Sequence, residues 1–128
     1  MEPFRQTTDL EMEKLLKVME LFRSYDPEIP AQVISVFLYI ASHDDCSKVQ
    51  IQDKHEGLNM PSASASRNTD WLSSKHRLGK RGLNWVIKYR DPTDMRKQIM
   101  KLSPQGVLLV KQLRDILYGE KTCHLERM

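Results

Sequence analysis

The amino-acid sequence predicts an α+β fold that is mostly helical, with a helix near each end of the chain. Apolar residues recur at helical spacing in several segments that proline or glycine separates, which predicts a set of helices. Two strand-like runs flank the turn Asp91-Pro92-Thr93-Asp94, and this arrangement predicts one β-hairpin. The 128 residues are 40% hydrophobic, which suffices for one core, so we predict a single domain over residues 1–128.

The first two helices are predicted from their end signals. The segment Thr8-Asp9-Leu10-Glu11 fits a capping box, with Thr at the N-cap and Glu three residues on. Asp26-Pro27 ends this helix because the residue before a proline avoids the α region, so the helix is predicted over residues 8–25. Pro30 can open a second helix. Residues 33–41 are apolar nearly all round, which predicts that this helix lies in the middle of the core.

The next elements are predicted to be short. Lys48-Val49-Gln50 fits a very short strand, and the segment Ile51–Leu58 fits a third helix because its apolar residues share one helical face. A fourth helix is predicted from Pro61 to about Ser74. Its expected buried contacts are Met60, Ala65, Trp71 and Leu72.

The hairpin and the last helix complete the predicted order. Residues 83–90 alternate loosely between apolar and polar, and the second strand is predicted over residues 96–101. Ser103 can cap a helix and Pro104 can occupy its first position, so the last helix is predicted over residues 103–118. The polar tail, residues 119–128, is expected to fray.

Two short helices followed by a hairpin form a winged helix-turn-helix, which we predict over residues 30–102 with flanking N- and C-terminal helices. In this arrangement the second helix of the pair enters the DNA major groove, and the hairpin flanks it over the backbone or minor groove. Ser, Arg and Asn side chains can bond phosphates or base edges. The candidate recognition-helix residues are Ser62, Ser64, Ser66, Arg67 and Asn68. The alternative for this stretch is a solvated serine-rich loop, because Ser is not a strong helix former.

The charge distribution indicates a polyanionic partner. Ten Lys/Arg and three Asp fall between Arg67 and Lys101, an excess of seven positive charges, whereas the whole chain carries +3. A basic surface on a near-neutral body is typical of proteins that bind a polyanion, most simply nucleic acid. The link after the fourth helix is expected to contact phosphates through Lys75, Arg77, Lys80 and Arg81. The alternative reading of this link is a solvated charged surface.

The segment Arg90–Gly106, RDPTDMRKQIMKLSPQG, resembles the wing of MarR-type winged-helix regulators. The family pattern there is Asp-Pro-x-Asp-x-Arg, a strand, Leu-Thr/Ser, two residues and Gly. Leu58–Pro61 and Ser64–Leu72 resemble the family's turn and recognition helix, and Gly82-Leu83 resembles the opening of its first wing strand. The resemblance covers about residues 30–118.

The resemblance implies specific roles in the wing. Asp94 would orient Arg96 toward the minor groove, Lys97 would meet the adjacent phosphates, and Arg90 would belong to the same wing surface. It also implies a homodimer formed through the first and last helices. The link before Gly82 is several residues longer than is usual in the family, and the C-terminal region is short. These features suit a compact regulator, such as one encoded by a phage or mobile element.

The sequence therefore predicts a double-stranded DNA-binding transcriptional regulator, expected to be a repressor and a homodimer in the cytoplasm of a bacterial or phage-infected host cell. The alternative is a winged-helix module that binds a polymerase or another regulator and has only non-specific DNA affinity. A small-molecule effector would be an addition to the first reading, and its identity is unknown.

Other classes of function receive little support from the sequence. No apolar run approaches the roughly 20 residues that span a bilayer, and the N-terminal segment lacks the features of a signal peptide. We predict no enzyme, no cofactor and no metal site, because the spacings typical of zinc ligands and phosphate-binding loops are absent from the sequence. Cys46 and Cys123 are expected to be thiols, one a buried small hydrophobe and one in the tail, with a redox sensor as the alternative.

Overall fold

The structure is a computed structural model that describes residues 9–74 and 81–119, and it confirms the mostly helical α+β fold. The helices and strands follow one another as predicted: α1 Leu10–Tyr25, α2 Ala31–Ser42, β1 Cys46–Ser47, α3 Lys48–Gln52, α4 Ser62–Leu72, β2 Val86–Asp91, β3 Asp94–Leu102 and α5 Pro104–Tyr118.

The described residues belong to two compact units, one formed by residues 9–28 with 111–119 and the other by Ile29–Val110. The residues of α5 are divided between the two units. The prediction of a single domain over the whole chain stays a prediction. No helix among the described residues combines the length and apolarity that a membrane span requires.

In the unit of residues 9–28 and 111–119, α1 is capped by Asp9, whose carboxylate accepts a hydrogen bond from the Met12 backbone N–H at 3.2 Å. The predicted N-cap, Thr8, was therefore wrong by one residue. The Tyr25 hydroxyl donates to Gln112 Oε1 at 2.8 Å and so joins α1 to α5 within this unit. Phe22 is fully buried. Five other apolar residues of α1 are 40–61% exposed: Leu10, Met12, Leu15, Leu16 and Met19.

In the unit of residues 29–110, the centre of the core is α2, as predicted. The buried residues of α2 are Val33, Ile34, Val36, Phe37 and Ile40. The Phe37 ring meets the Trp85 ring edge to face with centroids 5.3 Å apart, a favourable aromatic geometry. Although residues 33–41 are apolar nearly all round, Leu38 on the opposite side of α2 is 42% exposed. Trp71, predicted as a buried contact, is only partly buried.

The sheet has three antiparallel strands in the order β1-β3-β2. The strand β1 has two residues, with Cys46 opposite Met100 and Ser47 opposite Ile99. The predicted strand at residues 48–50 was therefore displaced.

A capping box explains this displacement. The Ser47 hydroxyl accepts from the Gln50 N–H at 3.2 Å, and the Gln50 side chain accepts from the Ser47 N–H at 2.7 Å, so α3 begins at Lys48. The predicted third helix over residues 51–58 was also wrong beyond residue 52. The Asp53 carboxylate accepts from the backbone N–H groups of His55 and Glu56, which makes a turn in place of a further helical turn.

The β-hairpin, here called the wing, forms where the sequence predicted it, but β2 begins at Val86 instead of Leu83. The Leu83 and Trp85 N–H groups donate to carbonyls at the end of α4, at 3.0 and 2.8 Å, and Asn84 between them has a φ of +59°. The segment before Val86 is therefore bonded to a helix end and not to the sheet. Ser103 caps α5 as predicted, since its hydroxyl oxygen accepts from the Gly106 N–H at 3.0 Å.

Candidate nucleic-acid interface

The orientation of α4 decides which of its residues can meet DNA. Ala65, Thr69 and Leu72 are buried at helical spacing and fix the inner side of the helix. The Thr69 hydroxyl donates to the Ala65 carbonyl at 2.8 Å, which satisfies this buried group within the helix. The outer side of α4 therefore carries the small and polar residues.

Four of the five candidate recognition residues lie on or beside this outer side. Ser62 and Arg67 are exposed, while Ser64 and Ser66 are partly buried. The Arg67 guanidinium donates to Ser64 Oγ at 3.2 Å. The exposed Ala63 between the serines keeps the surface thin, so a base edge or phosphate can approach the helix backbone closely.

Asn68 was expected on the outer side of α4, and this expectation was wrong. Asn68 is only 7% exposed, and its amide nitrogen donates to Gln32 Oε1 of α2 at 3.0 Å. The physical reason is its position three residues after Ala65 and four before Leu72, which places it on the buried side. Its side chain links α4 to α2 and does not face outward.

Two lysines that the sequence did not indicate as site residues bond α4 to neighbouring elements. The Lys48 ammonium donates to Ser66 Oγ at 2.6 Å and connects α3 to α4. The Lys88 ammonium lies 2.5 Å from Asp70 Oδ1 and connects β2 to the C-terminal turn of α4. The only sequence signal for the second contact was that Asp70 is the one acidic residue between Pro61 and Ser74.

In the wing, Asp94 and Arg96 are paired, which is the geometry implied by the sequence resemblance. Asp94 Oδ1 accepts from Arg96 Nε and from the Arg96 backbone N–H, both at 3.1 Å. The guanidinium hydrogen bond and then the backbone one lower the pKa of Asp94 below its ordinary value. The Arg96 side chain is otherwise open to solvent, at 91% exposed.

The turn of the wing is closed by Asp91. Its carboxylate accepts from the Thr93 backbone N–H at 2.9 Å and from the Thr93 hydroxyl at 2.8 Å. These bonds, the backbone one first, lower the pKa of Asp91. Arg90 and Lys97 on either side of the turn are exposed.

A cleft of about 290 Å³ lies between the start of α4, α3 and the wing. Its lining includes Lys48, Ser62, Arg90, Arg96 and Lys97, and within the described part of the chain no Asp or Glu lines it. The structure therefore brings three of the four predicted wing residues, Arg90, Arg96 and Lys97, together with Lys48. Of the predicted basic link, Arg81 is exposed. Lys75, Arg77 and Lys80 lie outside the described residues.

Residues with metal or redox chemistry do not assemble a site within the part of the chain that the structure describes. Among residues 9–74 and 81–119, no three His, Cys, Asp or Glu side chains form a group that could hold a metal ion. Cys46 is 1% exposed, and burial raises the pKa of its thiol to about 11. A thiol that stays protonated and buried is a poor nucleophile, so its environment does not favour a redox sensor. Cys123 lies outside the described residues.

These elements define a winged helix-turn-helix, and solved structures show that its fold is that of MarR-type regulators. A mutant MepR from a multidrug-resistant S. aureus clinical isolate is 15% identical, with a TM-score of 0.64 over 97% of this chain and 86% of that chain. An S. aureus MepR–DNA complex is 16% identical, with a TM-score of 0.59 over 93% and 79%. A mutant E. coli MarR complexed with operator DNA is 20% identical, with a TM-score of 0.57 over 87% and 73%. No family model matches the chain, and no curated protein matches it.

Proposed function

We propose that this protein is a sequence-specific transcriptional regulator that binds double-stranded DNA. The observation that carries the proposal is the way α4 is held. Three side-chain contacts from three different elements, Gln32–Asn68, Lys48–Ser66 and Lys88–Asp70, fix the helix at distances of 3.0, 2.6 and 2.5 Å. The thin polar surface that these contacts border is thereby preorganised, which lowers the entropic cost of binding.

In the proposed complex α4 enters the major groove and the wing lies over the flanking backbone or minor groove. Arg67 pairs with a base edge or phosphate, and Ser62, Ser64 and Ser66 approach through the space that Ala63 leaves. In the wing, Asp94 orients Arg96 toward the minor groove, while Arg90 and Lys97 meet phosphates. The basic link adds phosphate contacts through Lys75, Arg77, Lys80 and Arg81.

We further propose that the regulator is a cytoplasmic homodimer that represses transcription by occupying a site which the polymerase needs. The support for dimerisation is the exposed apolar surface of α1, whose Leu15 and Leu16 are 55% and 61% exposed. Apolar surface of this kind on a helix is typical of an interface between subunits. A two-fold dimer would present two recognition helices to two half-sites about one helical turn apart.

Selection of duplexes from a random pool tests this function, with the purified protein at two salt concentrations and sequencing of the bound fraction. We expect a palindromic sequence with half-sites about one helical turn apart to be enriched at both salt concentrations. Uniform recovery of all sequences, with binding that disappears at the higher salt, would leave only electrostatic attraction and overturn the proposal. The winged helix would then be tested as a module that binds a polymerase or another regulator.

A further inference from the structure

The cleft between α3, α4 and the wing carries more positive charge than its neighbours neutralise. Lys48, Arg90, Arg96 and Lys97 supply four cations to the lining. Asp94 is paired with Arg96, and the charge of Lys97 acts on Asp91. Even when both carboxylates are subtracted from the four cations, two positive charges remain. Like charges gathered around a concave surface repel one another unless an anion binds between them.

The contact between Lys48 and Ser66 holds the Lys48 ammonium against α4, on the side of the cleft where Ser62 lies. Lys48 is partly buried, and its ammonium donates to Ser66 Oγ at 2.6 Å. An ammonium has only donors, so in this pair the serine oxygen is the acceptor and the hydroxyl proton is left for a second acceptor. Ser66 lies one helical turn after Ser62, which itself lines the cleft.

We infer that this cleft binds one phosphate of the DNA backbone, with Lys48 as its central cation. The inference rests on the proposed function and deepens it, because it assigns a phosphate site at the junction between the recognition helix and the wing. The cleft opens between two surfaces that both face DNA in that proposal, so a strand that runs from α4 to the wing crosses it. An ammonium with three donors suits a phosphate held as a point charge, and Lys48 keeps two of these donors beyond its bond to Ser66.

The first experiment measures the salt dependence of binding for the full-length protein and the variant Lys48→Met. Two duplexes are used, the sequence enriched by selection and a mixed-sequence duplex of the same length. Each phosphate that a cation neutralises contributes about −0.9 to the slope of log affinity against log salt concentration. We expect the slope to be less steep in Lys48→Met, by about 0.9 for each bound protomer, on both duplexes.

Three further variants separate charge from structure. Lys54→Met removes the same charge at an exposed position that does not line the cleft, so it should leave the slope unchanged. Lys48→Arg keeps the charge and should restore the slope. Ser66→Ala should lower affinity but leave the slope near that of the parent, because the cation remains. Thermal unfolding followed by circular dichroism shows whether each variant is folded.

The second experiment locates the phosphate. Single phosphates of the duplex are replaced one at a time by neutral methylphosphonate. We expect one position in each half-site where the replacement weakens binding of the parent protein but has no further effect on Lys48→Met. Inorganic phosphate, titrated by calorimetry, provides the other source of the same chemistry. Saturable, Lys48-dependent binding of inorganic phosphate with an unchanged duplex slope would overturn the assignment to DNA.

The outcomes distinguish this inference from the proposed function. If a palindrome is enriched but Lys48→Met has the parental slope and the parental pattern of sensitive phosphates, the phosphate site is wrong and the regulator stands. A second outcome is that no sequence is enriched, while the salt slope measured on the mixed-sequence duplex is still less steep by about 0.9 in Lys48→Met. The phosphate site then stands and sequence-specific regulation is wrong. If neither duplex binds, both are wrong.

Discussion

Asp70 on α4 and Lys88 on β2 form an ion pair of 2.5 Å, with side chains only 26% and 16% exposed. This pair joins the C-terminal turn of the candidate recognition helix to the first strand of the wing. Because the wing strands are bonded to each other along β2 and β3, the pair relates the positions of the two surfaces that are proposed to contact DNA. The first prediction concerns its loss.

Asp70→Asn leaves the partly buried Lys88 ammonium without its counter-ion. We expect the free energy of unfolding, measured in urea, to fall by about 1–2 kcal/mol, between the values typical of exposed and of buried pairs. The double variant Asp70→Asn/Lys88→Met serves as control, because it removes both charges and should recover part of the loss. If the free energy of unfolding lost in the double variant equals the sum of the losses in the two single variants, the two residues are not coupled.

The second prediction concerns Arg67, which is exposed on the outer side of α4. Arg67→Ala is expected to weaken binding to the selected duplex by about 1–3 kcal/mol with unchanged thermal unfolding. Arg67→Lys is the matched control, because it keeps the charge and loses the planar guanidinium that can bind a base edge with two hydrogen bonds. Equal affinity of parent and Arg67→Ala in an electrophoretic mobility shift would remove this residue from the interface.

The third prediction concerns the wing pair Asp94–Arg96. Arg96 holds the pKa of Asp94 below its ordinary value, so the stabilisation from this carboxylate is fully present above the unfolded pKa and is lost as pH falls through the folded pKa. The titration of Asp94 should therefore not alter DNA binding between pH 5 and pH 8, since the unfolded pKa of an aspartate is about 3.9. Arg96→Ala should weaken DNA binding and leave the fold intact.

An NMR titration of the side-chain carboxyl carbons checks this pair directly. In Arg96→Ala the pKa of Asp94 should rise toward its ordinary value. Asp91 is an internal control, because Thr93 and not Arg96 holds its pKa low, so its titration should change little. An unshifted Asp94 in the variant would mean that the pair seen in the wing is absent in solution.

The fourth prediction separates Asn68 from the recognition surface. Asn68→Ala removes a partly buried hydrogen bond to Gln32 and should lower the free energy of unfolding by about 1 kcal/mol. Its preference among base pairs, measured by repeating the selection, should equal that of the parent protein because the side chain faces α2. A changed preference at one base position would return Asn68 to the set of base-reading residues.

The fifth prediction concerns the apolar surface of α1. The double variant Leu15→Ser/Leu16→Ser should halve the mass found by sedimentation equilibrium, because it replaces two exposed apolar residues at the proposed dimer interface. Leu38→Ser on α2, where the leucine is 42% exposed, is the control for a general effect of removing surface leucine. A parent protein that is already monomeric at micromolar concentration would contradict the homodimer.

The predictions that the structure confirms depend on residues close together in the chain. The turn at residues 91–94 and the cap at Ser103 are formed by hydrogen bonds that reach no further than three residues, so their residue types alone predict them. The same local logic would have placed α3 correctly, because Ser47-Lys48-Val49-Gln50 itself fits a capping box. The sequence thus contains the signal for a helix that begins at Lys48, and this signal prevails over the strand predicted at residues 48–50.

The sequence by itself therefore determined the class of fold, the order of its elements and the wing turn, whereas the pairing of Asp94 with Arg96 was implied by the family resemblance. Only the tertiary structure decided which polar residues of α4 face outward and which groups hold the helix. Asn68 bonds a residue 36 positions away, and Ser66 and Asp70 each bond a lysine 18 positions away. Such contacts depend on the packing of α2, α3 and β2 against α4. The spacing of Asn68 from Ala65 and Leu72 can place it on the buried side of α4, but it does not identify Gln32 as its partner. Because Ser, Asp and Lys are compatible both with solvent and with a partner, their residue types do not predict the two lysine contacts.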